Sequence, residues 1–128
     1  MKFLQPDDWA PARGYANGVV VEGKMIFLGG QVGWNAKQEF ESDDFIDQFR
    51  QTLVNIVTLL EEAQAGPQHL VRLTWFITDR DAYLGSQREL GRVYRDVIGR
   101  HFPPMSVVQV VKLVEERAKI EIEATAMV

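Results

Sequence analysis

Hydrophobic spacing along this chain switches between a period of two and a period near 3.6, and the switches delimit its elements. Residues 1 to 14 contain Pro6 and Pro11, show no period, and read as an extended lead-in. Residues 16 to 22 form the first predicted strand, and Gly23-Lys24 follows as a two-residue hairpin turn. The second strand spans 25 to 32, with Ile26, Leu28, Gly30 and Val32 on one face and Met25, Phe27, Gly29 and Gln31 on the other. After a loop at 33 to 41, Ser42 is placed to cap a helix, with Asp43 and Asp44 favourable in its first turn. Phe45, Phe49, Leu53, Ile56, Val57 and Leu60 then recur at helical spacing until Gly66-Pro67 stops the element.

Residues 70 to 78 return to alternation: Val71, Leu73, Trp75 and Ile77 face one way, and Arg72, Thr74, Phe76 and Thr78 the other. Asp79 or Asp81 caps a second helix that buries Tyr83, Leu90, Tyr94, Val97 and Ile98 and closes at Gly99. A fourth strand is expected over 105 to 113, a turn at "VEERA", and a last strand over 119 to 127 with Ile120, Ile122, Ala124 and Ala126 inward. The order is β-β-α-β-α-β-β, with an antiparallel hairpin at each end. It predicts one α+β domain over residues 1–128, a mixed sheet with two helices on one face. The other face is left open. Met25, Phe27, Phe76, Met105 and Val107 are assigned to it, and an uncovered apolar sheet face predicts an oligomer.

Composition narrows the function classes. At 128 residues the chain can bury a core without covalent staples. It has no Cys, which removes disulfides, thiolate nucleophiles and cysteine-based zinc sites. Its net charge of −4, from 14 basic and 18 acidic residues without a basic run, argues against nucleic acid as a partner. No apolar run reaches the roughly 20 residues a membrane span needs, and "MKFLQPDDWAPARGY" lacks the apolar region of a signal peptide. A cytoplasmic protein is the expectation. His69 and His101 are far apart and lack neighbouring carboxylates, so no metal site is expected. "GGQVG" lacks the Lys-Ser/Thr ending of a phosphate loop.

Four stretches, "GYANGVVVEGKMIFLGGQVG", "QFRQTLVNIVTLLEEAQAGPQHLVRLTWFITD", "FPPMSVVQV" and "KIEIEATA", together resemble the RidA (YjgF/YER057c/UK114) superfamily, in family order and over nearly the whole chain. The resemblance implies a chorismate-mutase-like fold, a homotrimer with ligand clefts between subunits, and no cofactor. It also implies hydrolysis of reactive 2-imino and 2-enamino acids to ammonia and a keto acid. In the family an Arg after the Pro pair grips the substrate carboxylate bidentately. A Glu in the last strand handles the attacking water.

Carried over position by position, the family Tyr falls on Tyr15, its Gly-Gln on Gly30 and Gln31, and its Glu on Glu121. The family Ser position is Gly29 and the Arg position is Met105. Glu121 is therefore the candidate catalytic residue, and the clamp for a substrate carboxylate is missing. Met105 reads as core packing or barrel lining, or as an apolar wall for a ligand; Trp34 as an aromatic wall or an anchor; and Arg13 as a solvated loop residue or a cation that stands in for the missing one. Two other readings stand beside this one: a metabolite-binding trimer without catalysis, and endoribonuclease activity, which the acidic charge balance disfavours.

Overall fold

A computed structural model describes all 128 residues. Six strands form: β1 (Lys2–Leu4), β2 (Gly18–Val20), β3 (Met25–Val32), β4 (Leu70–Ile77), β5 (Met105–Gln109) and β6 (Ile120–Met127). The helices are α1 (Phe45–Glu62), α2 (Arg80–Leu84) and α3 (Gln87–Val97), with a 3-10 turn at Pro67–His69. The main sheet runs β3-β6-β4-β5, and β1 pairs with β2 in a separate ribbon. Only β4 and β5 are parallel; β6 is antiparallel to both β3 and β4. This is the expected α+β class, with helices on one face of a mixed sheet.

Neither expected hairpin exists. The segment at 16 to 22 is a strand only over Gly18–Val20 and pairs with Lys2–Leu4, inside the stretch taken as a lead-in. Gly23-Lys24 is no hairpin turn: Lys24 exchanges both backbone hydrogen bonds with Val128, at 2.7 and 2.9 Å. Gly23, at φ 135°, has a different purpose, because a Cβ there would collide with the Val128 carbonyl oxygen. At the other end, β6 pairs with β3 and β4 instead of folding back on β5. Its inward residues Ile120, Ile122, Ala124 and Ala126 are all buried, the environment of a central strand. The fourth strand also stops at Gln109, four residues before the expected Leu113.

Helix ends follow their capping chemistry. Asp44, not Ser42, is the N-cap of α1: its carboxylate accepts from Asp47 N at 3.0 Å. Ser42 sits two residues before the cap, accepting from Asp44 N and donating to the Asp47 carboxylate. Asp79 caps α2 through Ala82 N. The second predicted helix is broken into α2 and α3 at Gly85-Ser86. Beyond α3, Gly99 at φ +97° makes the closing turn.

The core lies between α1 and the sheet. Phe49, Leu53, Ile56 and Leu60 are fully buried against Leu70, Leu73, Ile120, Ile122 and Ala126. Each such large side chain contributes about 1.5–3 kcal/mol through burial. No helix is long and apolar enough to cross a membrane.

Strand register decides what each face shows. Leu73 pairs with Met105 and Trp75 with Val107, so both belong to the helix side and pack against the core. This corrects their expected place on the open face. Met25 and Phe27 do stand open, 54% and 70% exposed, with half-buried Phe76 on the same face. Glu121 sits opposite Phe76 and therefore shares that open face.

Candidate functional site

The N-terminal loop meets the β5 entry through the Pro pair. Pro103 is buried and its carbonyl accepts from Ala16 N at 3.2 Å; the Pro104 carbonyl accepts from Leu73 N at 3.1 Å. Proline donates no hydrogen bond, but here both carbonyls are used, tying loop, β5 and β4 together. An isolated bridge between Ala16 and Pro104 completes the join. Gly14, at φ +75°, supplies the left-handed turn between Arg13 and Tyr15. Met105 thus leaves a fixed mounting and lies beside Tyr15 and Arg13.

These three residues line one cavity of about 470 Å³ between the N-terminal loop, β4, β5 and the α2–α3 segment. Trp75 and Val107 form its strand side, and Tyr83, Gln87, Leu90 and Gly91 its helix side. Tyr94 closes it from α3, stacked on Phe102 with ring centroids 5.2 Å apart. The Tyr94 hydroxyl donates to His101 O at 2.6 Å. Burial pushes its phenol well above the usual tyrosine range, so it is a fixed donor and does not titrate near neutrality. Tyr15 is 45% exposed and Arg13 is also exposed, whereas Trp75 is 5% exposed. The polar groups stand at the mouth, and apolar surface fills the depth.

The remaining sequence candidates lie elsewhere in the chain. Gly29 and Gly30 fall at a register shift in β3, where Leu28 pairs with Ala124 and Gln31 with Ile122. A Cβ on Gly29 would meet nothing, whereas one on Gly30 would stand 2.7 Å from Glu121 Cδ. The Glu121 side chain therefore occupies the space that Gly30 leaves empty. It is half-buried and makes no hydrogen bond or ion pair. Gln31 folds back on Gly29 O at 3.2 Å. Trp34 packs on Phe40, with ring centroids 5.8 Å apart, and its carbonyl is held by Asn55 at 2.8 Å. Within one protomer Glu121, Gly29, Gly30, Gln31 and Trp34 do not reach the cavity. Glu121 is excluded by pleat alone, since Leu73 and Phe76 mark opposite faces of β4.

Sequence reasoning missed the helix side of the cavity. Gly91 was the available signal, because a glycine inside a helix costs about 1 kcal/mol against alanine and calls for a reason.

A family model described as endoribonuclease L-PSP matches residues 6–128. RutC family protein PM1466 of Pasteurella multocida is 29% identical over 126 residues, covering 98% of this chain and 97% of that protein. TdcF of Escherichia coli K12, named as a candidate reactive intermediate deaminase, is 31% identical over 116 residues, 88% of this chain and 85% of its own. Its crystal structure with bound serine superimposes with a TM-score of 0.70 at 28% identity, covering 100% and 98% of the chains. The Rid family protein YyfB of Yersinia pestis reaches a TM-score of 0.88 at 28% identity, covering 99% and 98%.

Proposed function

The chain belongs to the endoribonuclease L-PSP family, the RidA/YjgF superfamily, and we propose that it is a small-molecule hydrolase of the reactive-intermediate deaminase kind. Its substrate is an imine or enamine with an apolar or aromatic body. The observation that carries this reading is the meeting of Tyr15, Arg13 and Met105 in one largely apolar cavity. Met105 stands where the resemblance expects an arginine. Losing a charge-assisted bond to a carboxylate removes about 1.5–3 kcal/mol of binding for a small 2-imino acid. A ligand with an apolar body recovers that by burying surface against Met105, Val107 and Trp75.

Catalysis needs an acid–base group that a single protomer does not bring to the cavity. We assign it to Glu121 of a neighbouring copy in a homotrimer, the assembly that the family resemblance implies. The exposed Met25 and Phe27 beside Phe76 support such an association. In the step itself the Glu121 carboxylate takes a proton from water as the water oxygen bonds to the imine carbon. That proton passes to nitrogen and gives a neutral carbinolamine. The carboxylate then carries the hydroxyl proton to the amine as the carbon–nitrogen bond breaks, so ammonia leaves and the carbon–oxygen double bond forms. An enamine enters the same sequence after it gains a proton at its β-carbon and loses one from nitrogen, which makes it the imine. Tyr15 holds the polar end, together with backbone N–H groups at Gly30 of the same neighbouring copy that supplies Glu121. No cofactor enters this chemistry, and the reading places the protein in the cytoplasm.

A second reading, ligand binding without turnover, is favoured by one observation: Glu121 lies against Gly30, away from the cavity of its own chain. RNA cleavage has least support, given the net charge of −4. The test is ammonia release from freshly generated 2-iminopropionate and from an aromatic enamine. The deaminase reading expects clear turnover of the second, little of the first, and loss of both in Glu121→Ala. Turnover of neither, with thermal stabilisation by an aromatic metabolite, establishes binding alone.

A further inference from the structure

We propose that the cavity is specific for organic anions held by their charged end at Arg13, with the apolar body running inward to Met105, Val107 and Trp75. Arg13 and Gly91 are then the specificity-determining residues. The inference rests on the cavity being the ligand site, and it reverses the orientation that an arginine at position 105 would impose.

Three observations carry it. First, Arg13 is the one ionised side chain in the cavity wall, and no carboxylate lines it. The two ion pairs of the chain, Arg50–Asp96 and Arg117–Asp43, do not involve it, and its guanidinium makes no hydrogen bond. A cation at the rim of an apolar concavity focuses its field inward, where the walls exclude water and counter-ions.

Second, polarity is graded with depth. Arg13 and Tyr15 are exposed, while Trp75 at the floor is 5% exposed. A ligand with charge at one end and a hydrocarbon body fits that gradient in one direction only.

Third, Gly91 sits inside the continuous helix α3 without a packing reason. The one atom within 4 Å of where its Cβ would stand is Arg95 Nη1, at 3.9 Å. Packing would therefore accept alanine, and helix propensity would favour it. What alanine would take away is space in the cavity wall.

The test uses 4-phenylbutyrate and its neutral counterpart 4-phenylbutanol, titrated against the intact protein by calorimetry. Occupancy is followed through the Trp75 indole N–H resonance, assigned with Trp75→Phe. The anion is expected to bind roughly 10- to 100-fold more tightly than the alcohol, as one charge-assisted contact provides. That preference should shrink with added salt, vanish in Arg13→Ala and return in part in Arg13→Lys. Gly91→Ala should raise the melting temperature while weakening both probes. If neither probe binds the wild type, the cavity is not a ligand site, and the proposed function falls with this inference. Equal binding of the two probes, or an anion preference that survives Arg13→Ala, overturns this inference and leaves the cavity reading standing.

Discussion

Met105 stands at the strand entry that the Pro pair holds in place, and Glu121 stands on the opposite face of the same sheet. Met105 was placed by its motif, because the Pro pair fixes the backbone and two proline carbonyls are hydrogen-bonded. Its face was not, since the pleat is set by pairing with Leu73, which no local pattern announces. Met105→Arg should shift selectivity toward 2-iminopropionate by roughly 10- to 100-fold, the worth of one charge-assisted contact. Relative ammonia release from that substrate and an aromatic enamine measures it, and an unchanged ratio would remove Met105 from the site. The two glycines before Gln31 make a paired test. Gly30→Ala should displace the Glu121 side chain, which fills the vacant space and has to swing aside, and should lower the melting temperature more than Gly29→Ala, which meets nothing. Tyr94 predicts an alkaline limit. Its folded pKa is raised above the ordinary 10, so the stabilisation is complete below pH 10 and is lost as pH rises beyond it. Urea midpoints between pH 9 and 11 should fall in the wild type and fall less in Tyr94→Phe.

Elements were legible where a period persisted. α1 keeps its 3.6-residue stripe from Phe45 to Leu60, and β6 alternates without a break, so both were recognised. Short or polar pieces were not: β1 has three residues in a stretch marked by prolines, and Gly85-Ser86 breaks a helix that periodicity alone would continue. What joins elements was also hidden. Gln48 is a polar residue within the apolar stripe of α1, yet it is 1% exposed. Its Nε2 donates to Ser42 O and Arg117 O, both at 3.0 Å, and its Oε1 accepts from Lys119 N at 2.8 Å. This amide bonds the helix start to the chain entering β6. Gln48→Ala should cost about 2–4 kcal/mol, because it empties a buried site and strands those backbone groups. Urea denaturation reads this directly, and a loss below 1 kcal/mol would mean that water takes over the amide's bonds.

For the whole molecule, the decisive surface is the open face of the sheet. Phe27 is 70% exposed there, near Met25 and Phe76, on the side that also bears Glu121. Under the proposed trimeric scheme, Phe27→Glu should give monomers in light scattering, keep the circular dichroism of the wild type, and abolish the proposed ammonia release, since each cavity would lose its neighbour's Glu121. A wild-type monomer, or full activity in the dissociated variant, would defeat the shared-site scheme. The sequence by itself determined the α+β class, the strands and helices with long periods, the Pro-pair mounting and the family, because propensity, burial pattern and motif spacing are local. Tertiary structure alone decided that β6 is central, that the hairpins do not form, that Met105 and Glu121 lie on opposite faces, and that Gly91 opens into a cavity with Arg13. Pairing partners are chosen by distant segments competing to bury the same apolar surface, and that competition is settled only when the whole chain packs.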